Sequence, residues 1–287
     1  MTPELLATIG AALAAAGEGC IAFADVRPLG GGFDARWQLS GNGRRHFVKT
    51  ARGASERYAA EADGLAALAR CSAFVVPRVL ALGTADGTDF LVLEWLDLAD
   101  AGDDARLGEA LATLHAIDCP HYGWPRDNFI GATPQENGCE HDWDWARFFV
   151  ERRLRPQLLL AARDGHTALA EAGLALLDDL PARFAGHASR PALLHGDLWR
   201  GNVGFVGGRP ALFDPAVHAG DPECDLAMAA LFGGFSPRFF AANGEGHGDE
   251  ARDWRRRLYQ LYHQLNHAHL FGGAYVAQAG ATIRALA

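Results

Sequence analysis

Apolar residues recur at helical spacing through residues 3–16, an Ala- and Leu-rich run that Gly17 ends. The pattern then shifts to period two. A strand-like stretch at 21–26 leads into PLGGGF, and residues 33–39 alternate as a strand. Gly41-Asn42-Gly43 reads as a hairpin turn, with 45–50 as the returning strand. An amphipathic helix is predicted over 55–68, and two further strands, 79–83 and 90–95, flank an Asp86-Gly87 turn. Beyond residue 97 the helical period dominates, over 107–116, 143–160, 168–180 and 254–271. The turn-rich segment 118–142 reads as a long loop, ordered by Trp124, Phe129 and Ile130. Repeats, linkers and charge blocks are absent. The pattern therefore predicts an α+β chain in two lobes of one compact unit, a β-rich 1–96 and a helical 97–287.

Candidate chemistry concentrates in LLHGDLWRGN, residues 193–202, and FDPA, residues 213–216. An Asp followed five positions later by an Asn, then by a second Asp beyond two strand-like runs (VGFV and ALF), is a phosphoryl-transfer arrangement. Protein kinases use H-R-D-x-x-x-x-N followed by D-F-G. Here Asp197 stands where a base accepts the substrate hydroxyl proton, while Asn202 and Asp214 offer oxygens for Mg²⁺ on the phosphates of ATP. The plain alternative is a polar loop using Asp and Asn as turn residues. Two motifs in the right order, with strands between them, favour the kinase reading and a bilobal protein kinase-like fold.

The first lobe supplies what that reading needs. Lys49, at the end of HFVK, is the only lysine among 26 basic residues. A compact ammonium fits between phosphate oxygens where a guanidinium would not. Gly30, Gly31 and Gly32 lie just upstream and can bring backbone amides close to phosphate. On the 55–68 helix, Glu61 is preferred over Glu56 as the partner of Lys49, because it shares a helix face with Leu65 and Leu68. Glu94, Trp95 and Leu96 fall where the chain crosses between lobes and would pair with adenine. Asp225 reads both as a helix cap and as a support for the catalytic loop, alongside His195. His115 reads as a packed helix-end residue. Asp142 and Asp144 read as acids at a helix start, with a grip on a substrate amine the lesser alternative. The histidines along 254–271 read as packing or surface residues rather than metal ligands.

Composition adds exclusions. With 49% hydrophobic and 21% charged residues the chain is an ordinary globular protein, and a net charge of −9 disfavours nucleic acid while suiting solubility. Cys20, Cys71, Cys119, Cys139 and Cys224 are scattered, without metal-ligand spacing or a disulfide framework. The start MTPELLATIG lacks a basic flank and a cleavage site, and no apolar run is of bilayer length. A monomeric cytoplasmic protein with no membrane partner is expected.

Taken together, PLGGGF, HFVK, LVLEWL, DNFIGATPQENG, LLHGDLWRGNV, DPAVHAGDPECDLAM and LYQLYHQLNHAHLFGG resemble the fructosamine kinase (ketosamine 3-kinase) family over about residues 29–273. The HGDxxxxN motif is shared with aminoglycoside and choline phosphotransferases, whereas the other segments are more specific. The resemblance implies ATP- and Mg²⁺-dependent phosphorylation of the sugar O3 of a ketoamine, whose unstable product then releases the amine. Small ketoamines or glycated protein lysines are the implied partners. It also implies substrate contacts from Asn128, in the NFIG segment, and from Trp199, whose ring face independently suits a sugar's C–H face. Two departures stand out. Phe33-Asp34-Ala35 follows the glycines, where the family has Asp or Cys and then Ile, so redox control through a cysteine there does not carry over. His218 and Ala219 replace aromatic residues after DPAV, which points to an altered substrate contact at His218. A phosphotransferase for an aminoglycoside or amino alcohol is the alternative. A pseudokinase is disfavoured, because Lys49, Asp197, Asn202 and Asp214 are all present.

Overall fold

The computed structural model describes residues 1–99, 101–138, 142–244 and 249–287. Helix α1 (Pro3–Ala15) starts where the Thr2 hydroxyl accepts the Leu5 amide, and Leu5, Ile9 and Leu13 form its buried stripe. Strands β1 (Phe23–Leu29), β2 (Ala35–Gly41) and β3 (Arg44–Ala51) precede α2 (Ser55–Leu68), and β4 (Val79–Ala85) and β5 (Thr88–Glu94) follow it. They form one antiparallel sheet in the order β1-β2-β3-β5-β4. Period two divides its faces. Leu39, Val48 and Val92 pack with Leu5, Ile9 and Leu13 of α1. Leu91 and Leu93 pack with Tyr58 and Leu65 of α2 on the other face.

The β2–β3 turn fixes what the site receives. Asn42 and Gly43 both have positive φ, 52° and 73°, the two-residue turn that matches strand twist. Gly41 therefore pairs with Arg44, and counting outward Arg36 pairs with Lys49. Directly paired residues project from the same face, so two cations stand side by side.

The remaining chain is mainly helical. It comprises α3 (Asp104–His115), the hairpin β6 (Asn128–Ile130) and β7 (Thr133–Gln135), and α4 (Trp145–Phe149), which passes through a π-helical turn at Val150–Leu154 into α5 (Arg155–Arg163). Then come α6 (Thr167–Leu177), α7 (Leu180–Arg183), β8 (Ala192–Leu194), β9 (Val203–Val206), β10 (Arg209–Leu212) and β11 (His218–Gly220). Four helices complete it: α8 (Glu223–Leu231), α9 (Pro237–Ala242), α10 (Glu250–Phe271) and α11 (Ala274–Leu286). Residues around Phe148, Leu154, Leu258 and Tyr259 form one core, and α3 packs with Leu193, Phe205 and Leu212 in another.

Two readings need correction. The long loop at 118–142 contains the β6–β7 hairpin, whose three-residue strands are too short to show a period; Cys139, Glu140 and His141 lie outside the described residues. The helix at 143–160 is not regular, since the π-helical turn carries Arg153 inward onto the Phe148 ring and the Glu136 carbonyl. Among the described residues no helix is long and apolar enough to cross a membrane, and Cys20, Cys71, Cys119 and Cys224 are free thiols.

Backbone bridges join the sheet-bearing half to the helical half. The Val75 amide donates to the Pro210 carbonyl at 2.8 Å, and the Leu212 amide donates to the Val75 carbonyl at 3.0 Å. Helix α2 is further tied across by the Trp124 indole N–H on Asp63 at 2.6 Å. Gly64, one turn beyond Glu61, lets α2 lie against Pro215. A Cβ there would meet Pro215 Cγ at 2.9 Å and Val217 Cγ2 at 3.3 Å. Gly64→Ala should gain about 1 kcal/mol of helix propensity yet lose roughly 1–3 kcal/mol to overpacking. The expected outcome is a lower melting temperature together with a severalfold higher KM for ATP. A variant that is more stable with an unchanged KM would show that this close approach does not position the site.

Candidate active site

The catalytic-loop segment leaves β8 and turns at Gly196, whose φ is 81° and whose added Cβ would lie 2.0 Å from the Ala216 carbonyl oxygen. Only glycine fits that backbone position. The turn is held from behind by Asp225, which accepts the amides of His195 and Gly196 at 2.8 and 2.9 Å and contacts His115 Nε2 at 3.0 Å. Burial would raise the Asp225 carboxyl, but these donors and the nearby imidazoles outweigh it and leave its pKa below the usual range. Asp225 therefore supports the loop and is not a cap; Asp221 accepts the Glu223 amide at that helix start instead. His195 is fully buried, accepts the Asp197 amide at Nδ1 and donates from Nε2 to the Phe213 carbonyl, which ties the two motifs together. Burial lowers its pKa, consistent with that neutral tautomer.

Asn202 orients Asp197. Its Nδ2 donates to the Asp197 carbonyl at 2.9 Å, to Asp197 Oδ2 at 3.2 Å and to the Asp214 carbonyl at 3.4 Å. Burial, and next the charge of Asp214, push the Asp197 carboxyl up to about 7, with the Asn202 hydrogen bond pulling the other way. Such a group can hold or release a proton near neutrality.

Lys49 is the electrostatic centre. Its Nζ donates to both Glu61 oxygens at 2.7 and 2.8 Å and to Asp214 Oδ1 at 2.6 Å. Burial alone would lower its pKa, but Asp214 and Glu61 outweigh that, so the ammonium stays charged. Glu56, the rival partner, is exposed. Asp214 has an unusual positive φ of 55°. Its second oxygen, Oδ2, accepts from Arg36 at 3.2 Å. Burial would raise this carboxyl, and Lys49 and Arg36 hold it below its ordinary value.

Arg36 is the residue the sequence reading missed. It lies against Gly32, where a Cβ would come within 2.5 Å of its guanidinium, and its buried Nε has no partner among the described residues. The strand count from the Asn42-Gly43 turn was the available signal.

These groups share one cleft of about 650 Å³, into which Gly31, Gly32, Lys49, Glu61, Asn128, Asp197, Trp199, Asn202 and Asp214 all face. Gly31 and Gly32 have φ near 85°, whereas Gly30 does not and lies outside the lining. The Asn128 side chain is already committed, donating to the Val217 carbonyl and accepting from Gln135 and Asn137. Trp199 is well exposed on the cleft wall. Glu94, Trp95 and Leu96 do not line the cleft; Glu94 accepts from Arg78, and the Trp95 indole donates to Asp97. His218 is a correction: it is buried in β11 beside the Phe148 ring, with Nδ1 3.2 Å from the Ala216 carbonyl, and does not reach the cleft. Its apolar neighbours drew it inward. On α10, His263 is buried and His269 pairs with Asp164. The donor set of Asn202 Oδ1 and the Asp214 carboxylate is hard oxygen, which fits Mg²⁺.

The family model for fructosamine kinases matches residues 9–287. A protein of Synechocystis named as a probable ketoamine kinase is 39% identical over 258 residues, 87% of this chain and 85% of its own. The crystal structure of a candidate fructosamine-3-kinase from Haemophilus somnus superposes with a TM-score of 0.86 at 28% identity, covering 97% and 96% of the two chains. A thermostable aminoglycoside phosphotransferase variant, solved with ADP and hygromycin B, shares the fold at a TM-score of 0.62 and 16% identity, with 97% of each chain covered. The bilobal kinase-like fold, the cleft and the match over nearly the whole length agree: the chain belongs to the fructosamine kinase family, kinases that transfer phosphate to a sugar hydroxyl.

Proposed function

We propose that the protein phosphorylates O3 of the sugar moiety of a ketoamine, a ribulosamine or fructosamine, using ATP, and that the phosphorylated product then breaks down to free the amine. The observation that carries this reading is the convergence of Lys49, Glu61 and Asp214 with Asp197 and Asn202 in one cleft. Asp197 takes the hydroxyl proton as the new O–P bond forms and the bond to the departing ADP breaks. Asn202 orients that carboxyl and Lys49 holds phosphate oxygens, while Gly31 and Gly32 offer backbone amides that can approach phosphate closely. Trp199 offers a flat face to the sugar. Asn202 and Asp214 would hold Mg²⁺, which when bound offsets phosphate charge. The paired charges Lys49, Arg36, Glu61 and Asp214 cancel, so the resting cleft brings no surplus cation to a triphosphate. Catalysis here is positioning and charge neutralisation.

The direct test is incubation with Mg-ATP and a panel of ribulosamines, fructosamines and aminoglycosides. Phosphate on O3 and later release of free amine are expected. Turnover of an aminoglycoside with none of any ketoamine would overturn the assignment. Asp197→Asn should lower kcat by about two to four orders of magnitude, the range for a general base, with ATP binding retained.

The raised pKa of Asp197 makes two pH predictions. At limiting concentrations of both substrates the rate reports the free enzyme, so it should fall about tenfold per pH unit below about 7 and level off above it. A flat profile between pH 5 and pH 8, at roughly these values, would exclude Asp197 as the base. For stability, a carboxyl whose folded pKa lies above its unfolded value favours folding most when protonated, and that contribution is lost as pH rises through about 7. Nucleotide-free Asp197→Asn should therefore melt higher than the wild type at alkaline pH, by roughly 2 °C per kcal/mol, with the gap closing in acid. A gap that widens in acid would contradict the shift.

A further inference from the structure

Beyond the phosphate-handling groups, one wall of the cleft is built of rings. Phe232 lies 4.9 Å from His267, which is 5.5 Å from Phe271 and 5.1 Å from Tyr275. Phe33, from the glycine-rich loop, stacks on Phe271 at 5.5 Å with the rings 18° from parallel. All five line the same cleft as Asp197. Phe33 and Phe271 are each 55% exposed, and Phe232 41%. Exposed rings gathered side by side in one cleft, rather than scattered singly over the surface, mark a surface built for contact.

Position and charge say what it contacts. The chain-crossing residues Glu94, Trp95 and Leu96 contribute nothing to this cleft, so the lined space is its phosphate and acceptor end rather than an adenine slot. The wall comes from α8's end, α10 and α11, all in the helical half, with Phe33 reaching across from the sheet-bearing half. A Cβ on Gly131 would lie 3.3 Å from both Phe33 and Leu270, so that glycine makes room where Phe33 docks. The wall holds no carboxylate, lysine or arginine. Its histidine, His267, has its pKa lowered by burial and donates from Nδ1 to the His263 carbonyl at 2.8 Å, leaving Nε2 as an acceptor.

Building on the ketoamine kinase reading, we propose that this wall is a subsite for the substituent on the ketoamine nitrogen, selecting aromatic and bulky apolar amines over small ones. The sugar lies toward Asp197 and Trp199, and the substituent lies along Phe33, Phe271 and Tyr275. Ring-on-ring contact in such a wall adds to the area it buries.

The experiment compares fructosamine and ribulosamine conjugates of benzylamine and of methylamine with the full-length enzyme. The benzyl conjugate should show a kcat/KM about tenfold or more above the methyl one. Phe271→Ala, at a half-exposed position, should close that gap, as should Phe33→Ala, with the KM for ATP unmoved. Equal kcat/KM for the two conjugates overturns the subsite and leaves the kinase reading standing. A gap that survives both variants, a rise in the KM for ATP, or a change only in self-association by sedimentation also overturns it, because the wall then serves no amine, serves the nucleotide or serves a second copy. Absence of phosphate transfer to any conjugate sinks the kinase reading and the subsite with it.

Discussion

Everything in the cleft depends on one ammonium held by two carboxylates from different parts of the chain. Lys49 stands on β3, Glu61 on α2 and Asp214 in the loop after β10, and the three meet within 2.8 Å of Nζ. A buried charge is tolerated only when paired and hydrogen-bonded. The sheet, the helix and the catalytic half therefore cannot shift independently without stranding a charge. Gly64 against Pro215, Trp124 on Asp63 and Val75 on Pro210 serve the same closure by packing and hydrogen bonds. The association of the two halves and the order of the site are thus one physical fact.

A site tuned in this way is costly to the fold. Asp197 is pushed up to about 7 by burial and by Asp214, and Asp214 itself occupies a left-handed backbone position. Both features persist because the surroundings determine them from several sides. Asp225 holds the turn at Gly196, and His195 spans from that turn to Phe213. Asn202 bonds to both aspartates. Acceptor chemistry then depends on a different part of the molecule, the rings of α10 and α11, so the wall can vary while the phosphate machinery stays fixed.

Much of this was legible in the residue order. The alternating runs around Asn42-Gly43 and Asp86-Gly87 predict hairpins found within one to two residues, because turn chemistry and period two are local signals. Lys49 and Glu61 could be paired in advance by helix-face counting. What escaped was non-local. Arg36 depends on the strand register, which the Asn42-Gly43 turn sets but which no local residue pattern displays at that position. His218 looked available and is buried, because its fate depends on Phe148, far away in sequence. Asp225 could be a cap or a brace on local grounds, and only the fold of β8 against α8 makes it the brace. The aromatic wall joins residues 33, 232, 267, 271 and 275, a grouping that no window of sequence contains.

The most direct measurement is a crystal structure with Mg²⁺ and a non-hydrolysable ATP analogue. The expected result is that Lys49 keeps Glu61 while the Asp214 carboxylate gives up Arg36 and, with Asn202, holds the metal. A complex in which Arg36 still holds Asp214 and the metal is ligated elsewhere would contradict it.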